Sequence, residues 1–181
     1  MSGVLTVANQ LTLLRMALIP AFAISLVYGH VTLSLAIFVL AGITDLFDGL
    51  IARRAKQQTT LGAWLDPAAD KLLLVTMFIV LTLPLDHLIH RIPLWLTLLV
   101  IGRDVGIVVT VAVVNLAIGR RTFHPSLLGK LATATFIVTG AVTLLYNALG
   151  VASPVPMYFV YASLVITLLS GADYLWRIAS R

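Results

Sequence analysis

Four of the seven acidic residues of this chain lie within one stretch of 26 residues: Asp45, Asp48, Asp66 and Asp70. The rest of the sequence is mostly hydrocarbon, because 60% of the 181 residues are hydrophobic and only 10% are charged. A carboxylate near the interior of a bilayer is costly unless it is paired, hydrated or bound to a cation. Carboxylate oxygens are also the hard ligands that Mg²⁺ and Mn²⁺ prefer. The four aspartates therefore predict a divalent metal site.

The spacing of these aspartates fits the surfaces of two helices. Residues three or four apart share one helical face, so Asp45 and Asp48 form one pair, and Asp66 and Asp70 form a second. Arg53 follows the first pair with a fork of donors that suits a phosphate group. We therefore expect two facing pairs of carboxylates close to a phosphate-binding arginine.

Simpler interpretations of the same residues remain open. Asp66 could cap a helix N-terminus ahead of a proline, and Arg53 could anchor a helix at the membrane surface. The first carboxylate pair could form structural ion pairs with Arg15, Lys71 or Arg103. The carboxylates could also belong to an ion pathway, so a small cation or proton transporter is the alternative from another functional class.

Long apolar segments recur through the chain and predict an all-α, polytopic membrane protein. We place six transmembrane helices at 8–28, 31–54, 62–84, 93–118, 125–148 and 155–177. The mean hydropathy is +1.06, and these segments leave no room for a separate soluble domain. Residues 1–181 are therefore expected to form a single six-helix transmembrane domain.

Basic residues mark alternate connections between these segments. They cluster after the second helix, after the fourth helix and at the end of the chain: Arg53, Arg54, Lys56, Arg120, Arg121, Arg177 and Arg181. Because loops rich in lysine and arginine stay in the cytoplasm, both termini and the carboxylate site are predicted on the cytoplasmic side of the cell membrane. The net charge of +5 suits an anionic inner leaflet and does not indicate nucleic-acid binding.

The combined pattern D-x-x-D-G-x-x-A-R, eight residues, then G-x-x-x-D-x-x-x-D resembles the signature of the CDP-alcohol phosphatidyltransferases. The residues that form it are Asp45, Asp48, Gly49, Ala52, Arg53, Gly62, Asp66 and Asp70. The segment from Asn9 to Arg15 is similar to the opening segment of that family. This resemblance implies the six-helix bundle of the family, with the signature on the second and third helices.

The same resemblance implies a two-metal site in which the four aspartates hold Mg²⁺ or Mn²⁺. It assigns contacts with the CDP part of a CDP-linked lipid to Asn9, Thr12, Gly49, Arg53 and Thr59. Asp70 would also act as the base that takes the proton of the acceptor hydroxyl. The implied reaction transfers a phosphatidyl group from CDP-diacylglycerol to an alcohol and releases CMP. A homodimer is implied as well, with Gly102 and Gly106 as a candidate contact.

The remaining cations bear on the identity of the acceptor alcohol. Within the family, the compact six-helix form resembles enzymes that use glycerol 3-phosphate or phosphatidylglycerol, and both acceptors carry a phosphate. Lys71, Arg103 and Lys130 lie in or near the membrane, where an unpaired cation is costly, so we expect them to bind the acceptor phosphate. Glycerol 3-phosphate is the favoured acceptor. Phosphatidylglycerol is the alternative, because the Arg103-Asp104 step resembles the branch that uses it.

Replacing Asp48 with asparagine should abolish CMP release and leave the protein folded in detergent, because the change removes a charged ligand and keeps its size. Asp70→Asn should abolish turnover and keep part of the CDP-diacylglycerol binding. Both effects are measured as CMP release and lipid binding by the purified variants. Substantial activity of the Asp48 variant would contradict the metal role, and unchanged turnover of the Asp70 variant would remove the base.

Overall fold

The computed structural model describes residues 7–55, 60–118 and 127–179, and it describes the side chains of 10–45, 68–110, 127–174 and three further positions, 113, 116 and 176. These described residues form six α-helices: α1 (Val7–Val27), α2 (Val31–Ala55), α3 (Thr60–Thr82), α4 (Leu94–Ile118), α5 (Leu127–Leu149) and α6 (Val155–Ala179). Every helix end lies within two residues of the position expected from the sequence. The predicted all-α fold is therefore confirmed.

Three stretches of the described chain are long and apolar enough to cross a membrane: Gln10–Val27, Leu127–Leu149 and Val155–Tyr174. A shorter apolar stretch of α2 runs over Val31–Asp45. By contrast, α3 and α4 carry charged residues well inside their apolar sequence, at Asp70 and Asp104 among others. The fold is that of a helical membrane protein whose central helices hold charges.

Two glycines determine where the chain reverses direction. Gly29 follows α1 with a φ of 84°, and Gly150 follows α5 with a φ of 66°. The N–H of His30 donates to the Ser25 carbonyl over 2.9 Å, and the residues around Gly150 repeat this pattern. This is the Schellman arrangement, in which glycine adopts the left-handed conformation without the steric cost of a Cβ. It folds α2 back along α1 and α6 back along α5.

The bundle is organised around α1, α2, α3 and α5. α1 packs against α2 and α3, α5 packs against α6 and also contacts α2, and α4 lies against α3 and α6. Large buried apolar side chains lie between these helices, among them Phe22, Leu26, Phe38, Leu74, Met77, Phe78, Leu81, Phe136 and Leu144. The rings of Phe78 and Phe136 meet edge to face with centroids 5.9 Å apart, which joins α3 to α5.

Hydroxyl pairs connect successive helices within the described part of the bundle. They are Ser25 with Ser34 at 2.8 Å, Thr82 with Thr97 at 2.6 Å, and Thr139 with Ser163 at 2.7 Å. Each pair joins the two helices of one hairpin. Such contacts contribute on average about 0.6 kcal/mol in membrane proteins, so they fix the register of each hairpin more than they drive its formation.

The connection between α3 and α4 closes one end of the bundle. The His87 ring forms a hydrogen bond of 2.8 Å with the Leu26 carbonyl at the end of α1. The Asn147 side chain, near the end of α5, donates to the His90 carbonyl over 2.8 Å and accepts from the His90 N–H over 2.9 Å. The connection is thereby fastened to two different hairpins.

Asn147→Ala should lower the free energy of unfolding by about 1–3 kcal/mol, because the backbone of His90 loses both partners. The measurement is the midpoint of thermal unfolding in detergent micelles. Thr135→Ala, on the same helix, is the matched control, since its hydroxyl bonds to the Leu131 carbonyl one turn back. A midpoint for the Asn147 variant equal to that of the control would contradict the structural role of this contact.

Candidate active site

A buried arginine on α1 joins the carboxylates of two other helices. The Arg15 side chain is 0% exposed, and its Nη1 lies 3.0 Å from Asp45 Oδ1 of α2. The same nitrogen donates a hydrogen bond to Asp70 Oδ1 of α3. A guanidinium suits this position because it stays charged and presents several donors in a fixed plane. α1, α2 and α3 therefore meet at one ion-paired centre.

Asp45 and Asp70 reach this centre from similar depths along their helices. Asp45 precedes the end of α2 at Ala55 by ten residues, and Asp70 follows the start of α3 at Thr60 by ten residues. At a rise of about 1.5 Å per residue, each lies about 15 Å from its helix end. Their side chains are 43% and 49% exposed, so both carboxylates remain accessible to a ligand.

Several predicted site residues belong to segments that the structure does not describe at the level of side chains. They are Asn9, Asp48, Gly49, Arg53, Thr59 and Asp66. Thr12 is described and is fully buried on α1, one turn before Arg15. Among the described side chains, no group of three or more His, Asp or Glu residues is close enough to hold a metal ion. Two of the four predicted ligands, Asp45 and Asp70, are brought together.

A second charged cluster lies beside the first. Asp104 on α4 accepts hydrogen bonds from Lys71 Nζ of α3 and, over 2.8 Å, from Arg103 Nη1. Arg103 and Asp104 are only 12% and 13% exposed, whereas Lys71 is exposed. Because two cations share one carboxylate, these three residues carry one positive charge in excess. Arg15 with its two aspartates carries one negative charge in excess, and such imbalances are costly in a low-dielectric interior.

These pairings partly follow the sequence-based expectations. The ion pair between Arg15 and Asp45, left open as a structural alternative, is confirmed. The bond from Arg15 to Asp70 and the bond from Lys71 to Asp104 were not expected. One signal pointed towards the Arg15 contacts, because an arginine in the middle of an apolar helix requires an anionic partner. The acceptor-phosphate role of Lys71 stays a prediction.

A cavity of about 470 Å³ opens at the two clusters. Arg15, Asp45, Asp70, Lys71 and Asp104 form its polar end. Most of its remaining wall is apolar and includes Phe38, Gly42, Leu74, Met77, Phe136 and Ile137, from α2, α3 and α5. Two of its lining residues, Val39 on α2 and Ile137 on α5, are exposed apolar side chains. The shape suits a ligand with a charged head and a hydrocarbon tail.

Another cavity, of about 550 Å³, lies between α4 and α6. Its lining includes Leu99, Arg103, Gly106, Leu168 and Tyr174. The Nε of Arg103 is buried and has no hydrogen-bond partner within the described residues. Lys130, the third predicted phosphate ligand, is exposed on α5 and lines neither cavity.

The donor set at the polar end of the first cavity fits a hard divalent cation. Asp45 and Asp70 supply carboxylate oxygens from two helices, and each side chain is about half exposed at the cavity. Mg²⁺ in proteins is commonly held by one or two carboxylates, with water and substrate phosphates completing its octahedron. The arrangement is therefore compatible with a cation shared between the protein and a phosphate ligand.

Comparison with known proteins agrees with this chemistry. A family model described as CDP-alcohol phosphatidyltransferase matches residues 5–169. A protein of Mycobacterium tuberculosis (strain ATCC 25618 / H37Rv) named "Probable phosphatidylglycerophosphate synthase" is 39% identical over an alignment of 181 positions that covers 94% of this chain and 80% of that protein. "Cardiolipin synthase (CMP-forming)" of Homo sapiens is 36% identical over 162 residues, covering 84% of this chain and 52% of that protein. This chain is similar to both.

Arg15→Met should lower the free energy of unfolding by about 1.5–3 kcal/mol, because it removes charge-assisted hydrogen bonds and leaves two carboxylates facing each other. Thermal unfolding in detergent measures the loss. Arg91→Met is the matched control, since Arg91 is exposed and bonds to the Leu85 carbonyl in the connection between α3 and α4. Equal midpoints for the two variants would show that the Arg15 centre does not stabilise the bundle.

Proposed function

This chain belongs to the CDP-alcohol phosphatidyltransferase family, and on that premise we propose that it acts as a phosphatidylglycerophosphate synthase. It is a membrane enzyme of phospholipid synthesis. The proposed reaction moves a phosphatidyl group from CDP-diacylglycerol to glycerol 3-phosphate and releases CMP. The observation that carries the proposal is the meeting of Asp45 and Asp70 at the polar end of an apolar cavity.

The donor lipid occupies the first cavity, with its diphosphate at the polar end and acyl carbons along α2, α3 and α5. Asp45, Asp48, Asp66 and Asp70 would hold two divalent cations, Mg²⁺ or Mn²⁺, which would supply charge neutralisation for the phosphoryl oxygens and the CMP leaving group. The residues that contact the CDP part are Asn9, Thr12, Gly49, Arg53 and Thr59. Gly49 and Arg53 belong to the family signature and Asn9 and Thr12 to the similar opening segment, whereas Thr59 is assigned by the family resemblance alone.

Asp70 is the base of the proposed reaction. Its carboxylate takes the proton of the acceptor hydroxyl, and the acceptor oxygen bonds to the phosphorus that carries diacylglycerol. The bond from that phosphorus to the oxygen of CMP breaks, and the electron pair leaves with CMP. The hydrogen bond from Arg15 holds the Asp70 carboxylate in place, while the exposure of this side chain leaves it accessible to the acceptor.

Lys71, Arg103 and Lys130 bind the acceptor phosphate in this proposal. The excess positive charge of Lys71 and Arg103 over Asp104 supports an anionic partner at this position. Lys71 follows Asp70 directly and lines the same cavity. A phosphate bound by Lys71 would therefore place the hydroxyl of a short acceptor, such as glycerol 3-phosphate, near the base.

A lipid acceptor is the second candidate, and one observation favours it. Arg103 also lines the cavity between α4 and α6, whose other lining residues are mostly apolar. That cavity suits phosphatidylglycerol, the acceptor of a CMP-forming cardiolipin synthase. Membership of the family supports either transferase over a small cation or proton transporter.

The basic residues near the ends of α2 and α4 support a cytoplasmic location for both termini and for the carboxylate site, at the cell membrane. We infer that residues 1–181 act as a single transmembrane domain and that two copies form a homodimer. At Gly102 and Gly106, an added Cβ would meet no described atom within 4 Å. This face of α4 is therefore open to close approach by a helix of the second copy.

Purified protein should release CMP from CDP-diacylglycerol when Mg²⁺ or Mn²⁺ and glycerol 3-phosphate are supplied, and EDTA should abolish the release. Phosphatidylglycerol, serine and inositol phosphate are offered in parallel reactions. Release driven by phosphatidylglycerol alone would establish the second candidate. Release with serine or inositol phosphate alone, or with no acceptor at all, would overturn the proposal.

A further inference from the structure

The first cavity has a defined depth along α3. Asp70 lies at its polar end, and Leu73, Leu74 and Met77 continue the same helical face. Met77 is the lining residue of α3 farthest from the carboxylates. Met77 follows Asp70 by seven positions, which correspond to about 10 Å along the helix. Met77 therefore forms the floor of the cavity on this side.

The position of Met77 depends on a glycine of α5. Met77 is fully buried, and its side chain rests directly on the backbone of Gly140. A Cβ added at Gly140 would lie 2.0 Å from Met77 Sδ and 2.1 Å from its Cε. Real Cβ atoms do not approach other atoms so closely, so the methionine could not keep this position beside any other residue. Gly140 thus provides the space in which the end of Met77 is seated.

We propose that Met77, seated on Gly140, sets the depth of the cavity and thereby the acyl-chain length of the donor lipid that the enzyme prefers. This inference rests on the proposed function. Methionine has three rotatable bonds, so its thioether can move when that space is filled. The surrounding core is closely packed, and forcing extra atoms into it is costly. A thioether displaced by a larger residue at position 140 therefore moves into the cavity that Met77 borders, and the cavity becomes shallower.

The test compares CDP-dipalmitoylglycerol with CDP-dioctanoylglycerol as donors in mixed micelles. Gly140→Ala should raise the KM for the long-chain donor about tenfold, with kcat unchanged, because binding is lost equally in the ground state and the transition state. For the short-chain donor, Gly140→Ala should have the same KM and kcat as the unmodified enzyme. The double variant Met77→Ala with Gly140→Ala should recover the long-chain donor, since the displaced thioether is gone.

Met77→Ala alone should shift preference further towards the long-chain donor, which keeps the inference testable if Gly140→Ala does not fold. Met157→Ala, an exposed methionine of α6, is the matched control and should leave both donors unaffected. The inference would be overturned if Gly140→Ala left the ratio of the KM values for the long-chain and short-chain donors unaltered. It would also be overturned if the double variant did not recover use of the long-chain donor. If the unmodified enzyme releases no CMP from either donor, the proposed function fails instead. The change in unfolding midpoint on adding each lipid, compared between the unmodified enzyme and Gly140→Ala, then still reports whether Gly140 controls the preferred acyl-chain length.

Discussion

The Arg15 side chain lies, without exposed surface, between two aspartates in the middle of a helical membrane protein. A cation there without an anion would be expelled towards water, and two carboxylates so close together would repel each other strongly. The guanidinium reduces the repulsion between the two carboxylates, and the carboxylates offset the cost of burying the guanidinium. Because the three residues come from α1, α2 and α3, this pairing also determines how those helices meet, and the apolar packing around them follows from that meeting point.

The two charged clusters complement each other at the polar end of the first cavity. One has an excess negative charge and is suited to cations, and the other has an excess positive charge and is suited to a phosphate. A substrate pair of a cation-bound diphosphate and an acceptor phosphate would balance both clusters together. Asp104 has a particular role here, since it already accepts hydrogen bonds from Lys71 and Arg103, and in the proposed reaction an incoming phosphate would compete with it for both. Such competition would limit how tightly a phosphate acceptor or product is bound.

Sequence features predicted the helices because they are local. The lengths of the apolar segments and the glycines at 29 and 150 determine where each helix ends, whatever the rest of the chain does. The expectation that a carboxylate pairs with Arg15 was also accessible, since a charge in apolar sequence must find a partner. The bond between Lys71 and Asp104 joins residues 33 positions apart, and no periodicity encodes it. The contact between Met77 and Gly140 is likewise not encoded by any local pattern, because it depends on how α3 and α5 pack.

The connection between α3 and α4, fastened to α1 by His87 and to α5 by Asn147, makes one end of the molecule a pivot. Helices held together at one end can separate only by tilting about it, so displacement grows with distance from the fastened end. Asp70 lies 12 residues from Thr82 at the end of α3, or about 18 Å. A tilt of about 5° would therefore move its carboxylate by about 1.5 Å. Small angular changes therefore alter the distances at the Arg15 centre while the end closed by the α3–α4 connection stays together.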